Sequence, residues 1–583
     1  MELLPANAGA QPVKTVEHEI TTGAHALAGA LARCGVDTVF ACGGEKLRPL
    51  VEALSRVGIR VIATQHEQGA AHAADGYART SGRCGVCVVG GGPGITGSVT
   101  GLATAGMDSV PVLCICAGSR REHLGDDSFQ SIDALGIVRP CVKWGCLAIQ
   151  PRAIARNVAE AVLVASGGRP GPVVMHIPSD VLEAPCPGET DARPRAHIVQ
   201  RYAPAPPAVD EKDLRRATDL INSAQQPLLY VGRGAVIAGA GDVLRELAER
   251  ASIPVAMTLL GLGVFDEQHR LSLGMLGMHG GAAANFAVQE CDCLVAVGAR
   301  FDDRVTGDPS RFAPGASIIH IDIDPSVVGR IVRPTVALVG DAKHILGLLL
   351  ERVARRNRHD WLMRIANWKW RHGFVYFDDS DLPKPQYVIE EIRRQTHGNA
   401  VIVTGVGQHQ MWTAQFFRFR RPRQFVTSGG LGTMGFGLPA GVGATAADPS
   451  CPVITIDGDG SFLMTSFELH TLARHDLPLK VAIISNGYLG MVKQWQDLFY
   501  QRRYSHSILK NPDFAALAEA CGVRGMCCRR KEDVARTVRE MLAHDGPVVA
   551  EFRVEGSEHV YPIVGPGRSL HEMHLGTLRH LDF

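Results

Sequence analysis

The stretch from Pro452 to Trp495, PVITIDGDGSFLMTSFELHTLARHDLPLKVAIISNGYLGMVKQW, restricts the fold more than any other part of the chain. Val453 to Ile456 reads as a short buried parallel strand ending at Asp457-Gly458-Asp459-Gly460-Ser461. Ser461 is placed to cap a following helix, where Phe462, Leu463, Phe467 and Leu472 recur at helical spacing up to Pro478. A second apolar run, Leu479 to Ile484, leads to Ser485-Asn486-Gly487-Tyr488. Strand, acidic glycine turn, helix, strand and amide turn form one βαβ unit, whose parallel strands bring both turns to the same carboxyl edge. Asp459 and Asn486 can therefore approach one ion. A carboxylate, an amide and a backbone carbonyl are hard oxygen donors suited to Mg²⁺ or Ca²⁺, and glycines admit a phosphate to main-chain N–H groups. The expected ligand is a metal diphosphate.

With 583 residues the chain exceeds one hydrophobic core, and three domains are expected. A net charge of +1 without a long basic block points away from nucleic acid and from an anionic membrane surface. No signal-like N-terminus and no apolar run of about 18 residues is found, so a cytoplasmic protein is expected. The fifteen cysteines are scattered through apolar strands and read as reduced core thiols; Cys84 and Cys87 would face opposite sides of a strand.

Helix and strand patterns alternate throughout, giving an α/β protein with three doubly wound parallel-sheet domains. The expected boundaries are residues 15–185, a linker at 186–209 rich in Pro and charge, 210–355, a second linker at 356–384, 385–567, and a tail at 568–583. Trp361, Trp368 and Trp370 in the second linker are expected to pack between domains. GRGA at Gly232–Ala235 is a weak nucleotide signal by itself.

Ten stretches in order carry a family resemblance: HEQGAAHAADGYAR, GDDSFQ, GRPGPVV, GMLGMHG, VGARFDDRVTG, IDIDP, GVGQHQMW, GGLGTMGFGLPA, IDGDGSF and LGMVKQWQDLFYQRRYSHS. From about Glu17 to Gly567 the chain resembles thiamine-diphosphate enzymes of the acetohydroxyacid (acetolactate) synthase large-subunit type. The resemblance implies a pyrimidine domain, a central FAD domain and a diphosphate domain, with active sites shared between subunits of a homodimer or tetramer and a small regulatory subunit as a further partner. It implies decarboxylation of pyruvate and transfer of the two-carbon unit to a second 2-oxo acid, pyruvate or 2-oxobutyrate. A specialised carboligase with another acceptor and an FAD-dependent pyruvate oxidase are the alternatives.

By the same resemblance Glu67 pairs with the pyrimidine ring, where a carboxyl favours the imino tautomer that removes the thiazolium proton. Met434 is the wedge that bends the cofactor. Asp459, Asn486 and the main-chain oxygen of Tyr488 hold Mg²⁺. Val406, Gln408, His409, Gly432, Gly458, Gly460, Ser461, Gly490 and Met491 line the thiamine diphosphate. Arg152, the span His279 to Arg300 and the span Asp322 to Asp341 correspond to FAD-contacting positions. Arg304 and Trp495 select the second acid, by a guanidinium for its carboxylate and an indole for its side chain. Phe129 and Gln130 match tunnel residues.

The chain also departs from the pattern. It has Gly91-Gly92-Pro93-Gly94-Ile95-Thr96-Gly97 for SGPGATN, Cys42-Gly43-Gly44-Glu45 for PGGA, Ser119-Arg120-Arg121 for VPRR, and Gly405 for the Asp of TDVGQHQ. These bear on the substrate pair and leave the cofactor set intact.

Overall fold

The computed structural model describes residues 22–186, 192–203 and 209–576. It contains three six-stranded sheets, each parallel throughout and flanked by helices, and a two-stranded antiparallel ribbon. In the first sheet the strands lie in the order Arg60–Thr64, Thr38–Cys42, Gly85–Gly90, Val112–Gly118, Val173–Pro178, Trp144–Leu147. The third repeats that order with Phe425–Thr427, Val401–Thr404, Val453–Gly458, Lys480–Ser485, Val548–Arg553 and Arg524–Cys528.

The middle sheet is wired differently. Its strands run Val336–Val339, Ser317–Asp322, Cys293–Val297, Pro227–Val231, Val255–Met257, Ser272–Met275, which is the 3-2-1-4-5-6 order of dinucleotide-binding folds read from the far edge. The strands are near-continuous apolar runs because helices cover both faces, and every residue of Val453–Gly458 and of Lys480–Ser485 is buried.

The first and third sheets are joined by two helices, Glu67–Ser81 and Gly437–Ala447. Their backbones touch. A Cβ at Gly443 would stand 1.8 Å from the Ala73 carbonyl, and one at Gly76 would stand 2.1 Å from the Ala440 carbonyl. Only glycine permits this approach, and a single apolar core runs across both helices from Phe40 to Val549.

Several local expectations are corrected. The segment after Asp457 is a short helix, Asp459–Leu463, a 3₁₀ turn, Ser466–Glu468, and a second helix, Leu469–His475. Gly458 is the N-cap, and Ser461 lies inside the first turn with its hydroxyl accepting the Gly435 N–H at 3.1 Å. The helical spacing was real, but Phe467 stays 37% exposed because the chain breaks before it. The second linker contains a helix, His359–Arg371, on the middle sheet; Trp361 is buried there and donates to the Pro227 carbonyl at 3.1 Å, whereas Trp370 is 77% exposed and packs between nothing. The first linker contains a helix at Ala196–Tyr202. Part of the tail is ordered: Ile563–Val564 pairs with Met573–His574, and Val564, Leu570 and Met573 enter the middle sheet's core. The end of the tail lies outside the described residues.

Candidate active site

In a doubly wound sheet, ligands bind beyond the carboxyl ends of the strands where the strand order reverses. For the third sheet that point lies between Val401–Thr404 and Val453–Gly458, so the turns Gly405–Gly407 and Gly458–Ser461 face each other. A small pocket of about 60 Å³ occupies the place. Val406, Gln408, His409, Met434, Gly458, Asp459, Gly460, Ser461, Asn486, Tyr488, Gly490 and Met491 line it.

Asp459 Oδ2 accepts the Gly487 N–H at 2.7 Å and the Asn511 amide at 2.8 Å, and its Oδ1 accepts the Gly460 N–H at 3.0 Å. Asn486 Oδ1 accepts the Tyr488 N–H at 3.0 Å, and its amide donates to Gln408 Oε1 at 3.2 Å. Both side chains are thus fixed against one turn, Asn486–Tyr488. Burial pushes the Asp459 carboxyl up, offset by the donors of Asn511, Gly487 and Gly460. A divalent cation would favour the ionised form that burial disfavours.

Behind the pocket stand His409 and Asp457. Burial pushes His409 down to about 3 and Asp457 up to about 7, so the uncharged forms are favoured. His409 Nε2 lies 3.4 Å from Asp457 Oδ1. His409 Nε2, Asp457 Oδ2 and Asn511 Oδ1 are buried without a hydrogen-bond partner in the chain. Unspent polar atoms around a pocket with one carboxylate fit a polar ligand that brings its own charge. Among the described residues no group of three or more His, Cys, Asp or Glu could hold a metal alone, so a cation here needs oxygens from its ligand.

Gly405, where the family pattern has Asp, is explained by this geometry. A Cβ at Gly405 would stand 1.9 Å from Asp457 Oδ1 and 2.3 Å from Ser461 Oγ. The Asp457 carboxylate fills the space that a side chain at 405 would need.

Met434, Met491 and Val406 also border a crevice of about 1100 Å³ at the switch point of the middle sheet. His279, Arg300, Arg304, Asp322, Asp341, Gly432 and Trp495 line it. Arg300 donates to the Met107 carbonyl at 2.7 Å, and Arg304 lies 3.7 Å from Met278 Sδ. Asp341 caps the Ala342–Arg352 helix, while Asp322 accepts the Asp324 N–H at 2.9 Å. His279 is buried against the Pro562 carbonyl and burial pushes it down to about 4.

Arg152 does not join this set. It lies in a 3₁₀ turn, Pro151–Ala153, of the first domain, away from the crevice. The basic residues that sequence reasoning missed are Arg169 and Arg233. Arg169 belongs to the quoted GRPGPVV stretch and pairs with Asp324 at 3.2 Å. Arg233 sits in the GRGA segment; its Nε has no partner, and desolvation pushes its guanidinium down to about 9. An unspent guanidinium, capped acids and glycine turns suit a dinucleotide pyrophosphate and ribose.

Glu67 lines neither cavity. It opens the Glu67–Ser81 helix, with His66 as N-cap, at the carboxyl edge of the first sheet. A Cβ at Gly97 would stand 2.8 Å from Glu67 Oε2, and one at Gly94 would stand 3.4 Å from Oε1. Burial and the Glu67 carboxylate together push the adjacent Cys42 thiol up to about 12. Gln130 adopts a left-handed backbone, φ 59°, against Gly92, the N-cap of the Pro93–Met107 helix, and Phe129 is 85% exposed. One chain thus presents two separate groups, a diphosphate-type pocket and an acidic group around Glu67.

Family models match all three units: a thiamine pyrophosphate enzyme N-terminal TPP binding domain at residues 21–137, a central domain at 214–349 and a C-terminal TPP binding domain at 405–552. The chain is 44% identical to the acetolactate synthase isozyme 2 large subunit of Escherichia coli, over 94% of this chain and 99% of that protein. It is 45% identical to the acetolactate synthase large subunit of Parasynechococcus marenigrum, over 95% and 90%. To the mitochondrial acetolactate synthase catalytic subunit of Saccharomyces cerevisiae it is 41% identical, over 93% and 82%. The chain therefore belongs to the thiamine pyrophosphate enzymes, and within them to the acetolactate synthase catalytic subunits.

Proposed function

We propose that this chain decarboxylates pyruvate and joins the two-carbon unit to a second 2-oxo acid, pyruvate or 2-oxobutyrate, giving the 2-acetohydroxy acids of branched-chain amino-acid synthesis. The carrying observation is the convergence of Asp459, Asn486, Tyr488, Gln408 and His409 on one pocket at the third sheet's switch point. Asp459, Asn486 and the Tyr488 carbonyl would hold Mg²⁺, a hard cation that would offset the charge of a bound diphosphate. When bound, thiamine diphosphate supplies the electron sink for the pair left as CO₂ departs.

The protein's own residues supply placement and proton movement. Met434 stands between pocket and crevice, where its bulk would bear on a bound cofactor. Glu67 holds a proton for the pyrimidine ring. Because Glu67 borders neither cavity of its own chain, we assign it to the pocket of a second copy, which makes the working unit at least a homodimer. Arg304 and Trp495 share the crevice wall that continues from Met434 and Met491, which suits a guanidinium that receives the acceptor's carboxylate and an indole that limits its side chain.

The crevice of the middle sheet suits FAD, with His279, Arg300, Asp322 and Asp341 as wall and Arg169 and Arg233 as the cations. Among the described residues no helix is long and apolar enough to cross a membrane, and a cytoplasmic location is the reading that accompanies the function.

Product analysis tests the proposal. Purified chain with Mg²⁺ and thiamine diphosphate is given pyruvate alone and pyruvate with 2-oxobutyrate, and 2-acetolactate with its 2-ethyl homologue is expected. CO₂ and acetate, with flavin bleaching at the turnover rate under anaerobic mixing, would replace the carboligase reading by an oxidase.

A further inference from the structure

Glu468 is a fully buried carboxylate to which none of the roles above applies. It belongs to the third domain, yet both its oxygens accept the Gln65 N–H at 3.2 Å, and its Oε1 also accepts the His66 N–H at 3.2 Å. Those two donors open the turn that leads into the Glu67–Ser81 helix of the first domain. The Thr471 hydroxyl donates to Glu468 Oε2 at 2.5 Å and secures the carboxylate from its own side.

The surroundings show a built contact. A Cβ at Gly69 would stand 1.9 Å from Glu468 Oε1, so the helix start keeps a glycine where the carboxylate lies. The same third-domain segment grips the neighbouring strand end: Ala63 N–H donates to His475 Nε2 at 2.9 Å, and the Phe467 ring lies 5.7 Å from that of His66. Burial pushes the Glu468 carboxyl up, and the Thr471 hydroxyl and the Gln65 and His66 N–H groups offset that, so the carboxyl is held by donors of both domains beside the first turn of the helix.

From this geometry, and resting on the reading of Glu67 given above, we infer that Glu468 is a positioning residue for Glu67. By accepting the Gln65 and His66 N–H groups it fixes the backbone from which the Glu67 carboxyl is held over Gly94 and Gly97. It touches neither substrate nor cofactor; it sets how well the proton on Glu67 is aimed.

The test uses the full chain and the variants Glu468→Gln, Glu468→Ala, Gly69→Ala and Glu67→Gln. Amide hydrogen exchange over residues 65–69, kcat and KM for pyruvate, and the thermal midpoint are measured on each. In Glu468→Ala the exchange at residues 65 and 66 should quicken and kcat should fall roughly 10- to 100-fold, as expected when a reacting group is misplaced by a fraction of an ångström to an ångström. The pyruvate KM should stay within about twofold, since no substrate contact is lost. Glu468→Gln, which keeps the shape and one acceptor oxygen, should retain more turnover than Glu468→Ala, and Gly69→Ala should reproduce the loss by displacing the carboxylate. A parental kcat in Glu468→Ala beside an inactive Glu67→Gln overturns the inference alone, as does unchanged exchange at residues 65 and 66. A parental kcat in Glu67→Gln removes the reading of Glu67 and the inference with it.

Discussion

Replacing Gly405 by Ala puts one methyl group against a carboxylate that has nowhere to go. The new Cβ would stand 1.9 Å from Asp457 Oδ1 and 2.3 Å from Ser461 Oγ, where ordinary contact begins well beyond 3 Å. Retreat is blocked on the other side, because a Cβ at Gly437 would already stand 2.4 Å from Asp457 Oδ2. Movement of Asp457 also breaks its bond from the Gly458 N–H at 2.9 Å, and movement of Ser461 breaks its bond from the Gly435 N–H at 3.1 Å. Overpacking costs about 1–3 kcal/mol and a forfeited buried hydrogen bond about 1–3 kcal/mol, so the expected loss is about 2–6 kcal/mol. For a domain of this size about 2–4 °C accompanies each kcal/mol, which places the third domain's melting transition about 4–24 °C lower in calorimetry. Shortening the partner should remove the Asp457 share of that cost while the Ser461 contact remains: in an Asp457→Ser background, Gly405→Ala should cost about 1–3 kcal/mol less than in the parent. A Gly405→Ala single variant that melts within about 2 °C of the parent, or a double variant no better than the sum of the singles, would refute the packing argument.

Three further expectations concern charge and chemistry. Arg79 is buried between Asp75 and Asp108, donating to Asp108 at 2.9 Å and to the Thr427 carbonyl at 2.7 Å, so Arg79→Leu leaves two buried carboxylates unpaired and should cost about 3–5 kcal/mol, read as a lowered melting transition that Arg79→Leu with Asp75→Leu partly restores. Burial pushes His72 down to about 3, so stability tied to its neutral form is complete above its unfolded value near 6.5 and is lost as pH falls toward 3; lowering pH from 6.5 to 5 should cost about 2 kcal/mol, and His72→Leu should lose less of its melting temperature over that interval than the parent. Removal of divalent cation with a chelator should abolish thiamine diphosphate binding in a calorimeter, because Asp459 is the one carboxylate on the pocket wall; binding undiminished without metal would remove Asp459, Asn486 and Tyr488 as a metal set.

The three-sheet architecture and the pocket were legible because each rests on local rules. A β-branched run that ends in glycine and acid marks the carboxyl end of a parallel strand, and two such turns around one helix must share an edge; Asp459 and Asn486 meet for that reason. Charge patterning hid the His359–Arg371 helix, which packs through Trp361, Leu362, Ile365 and Trp368 with charged residues between them. Arg152 lies outside the crevice and Arg169 on its wall, because linear order does not say which turn of the first domain abuts the middle sheet. Asp457 reads in the sequence only as part of the IDGDGSF turn, with no role of its own, and Glu468 lies in no motif. Each is defined by a contact distant in sequence, Gly405 for one and Gly69 for the other, and in both cases the glycine was visible while its reason was not. The departure at Gly405 was the signal that could have led to Asp457.

Complementation between two crippled chains tests the composite site most directly. Glu67→Gln and Asp459→Ala chains carrying different tags are co-expressed, and the mixed dimer is purified through both tags. If Glu67 of one copy serves the pocket of the other, one of the two sites in each mixed dimer keeps both residues, and acetolactate formation should return to about half the parental rate per dimer while either variant alone stays inactive. If the mixed dimer is as inactive as its parents, Glu67 and Asp459 must act within one chain, and the assignment of the two groups to opposite copies is wrong.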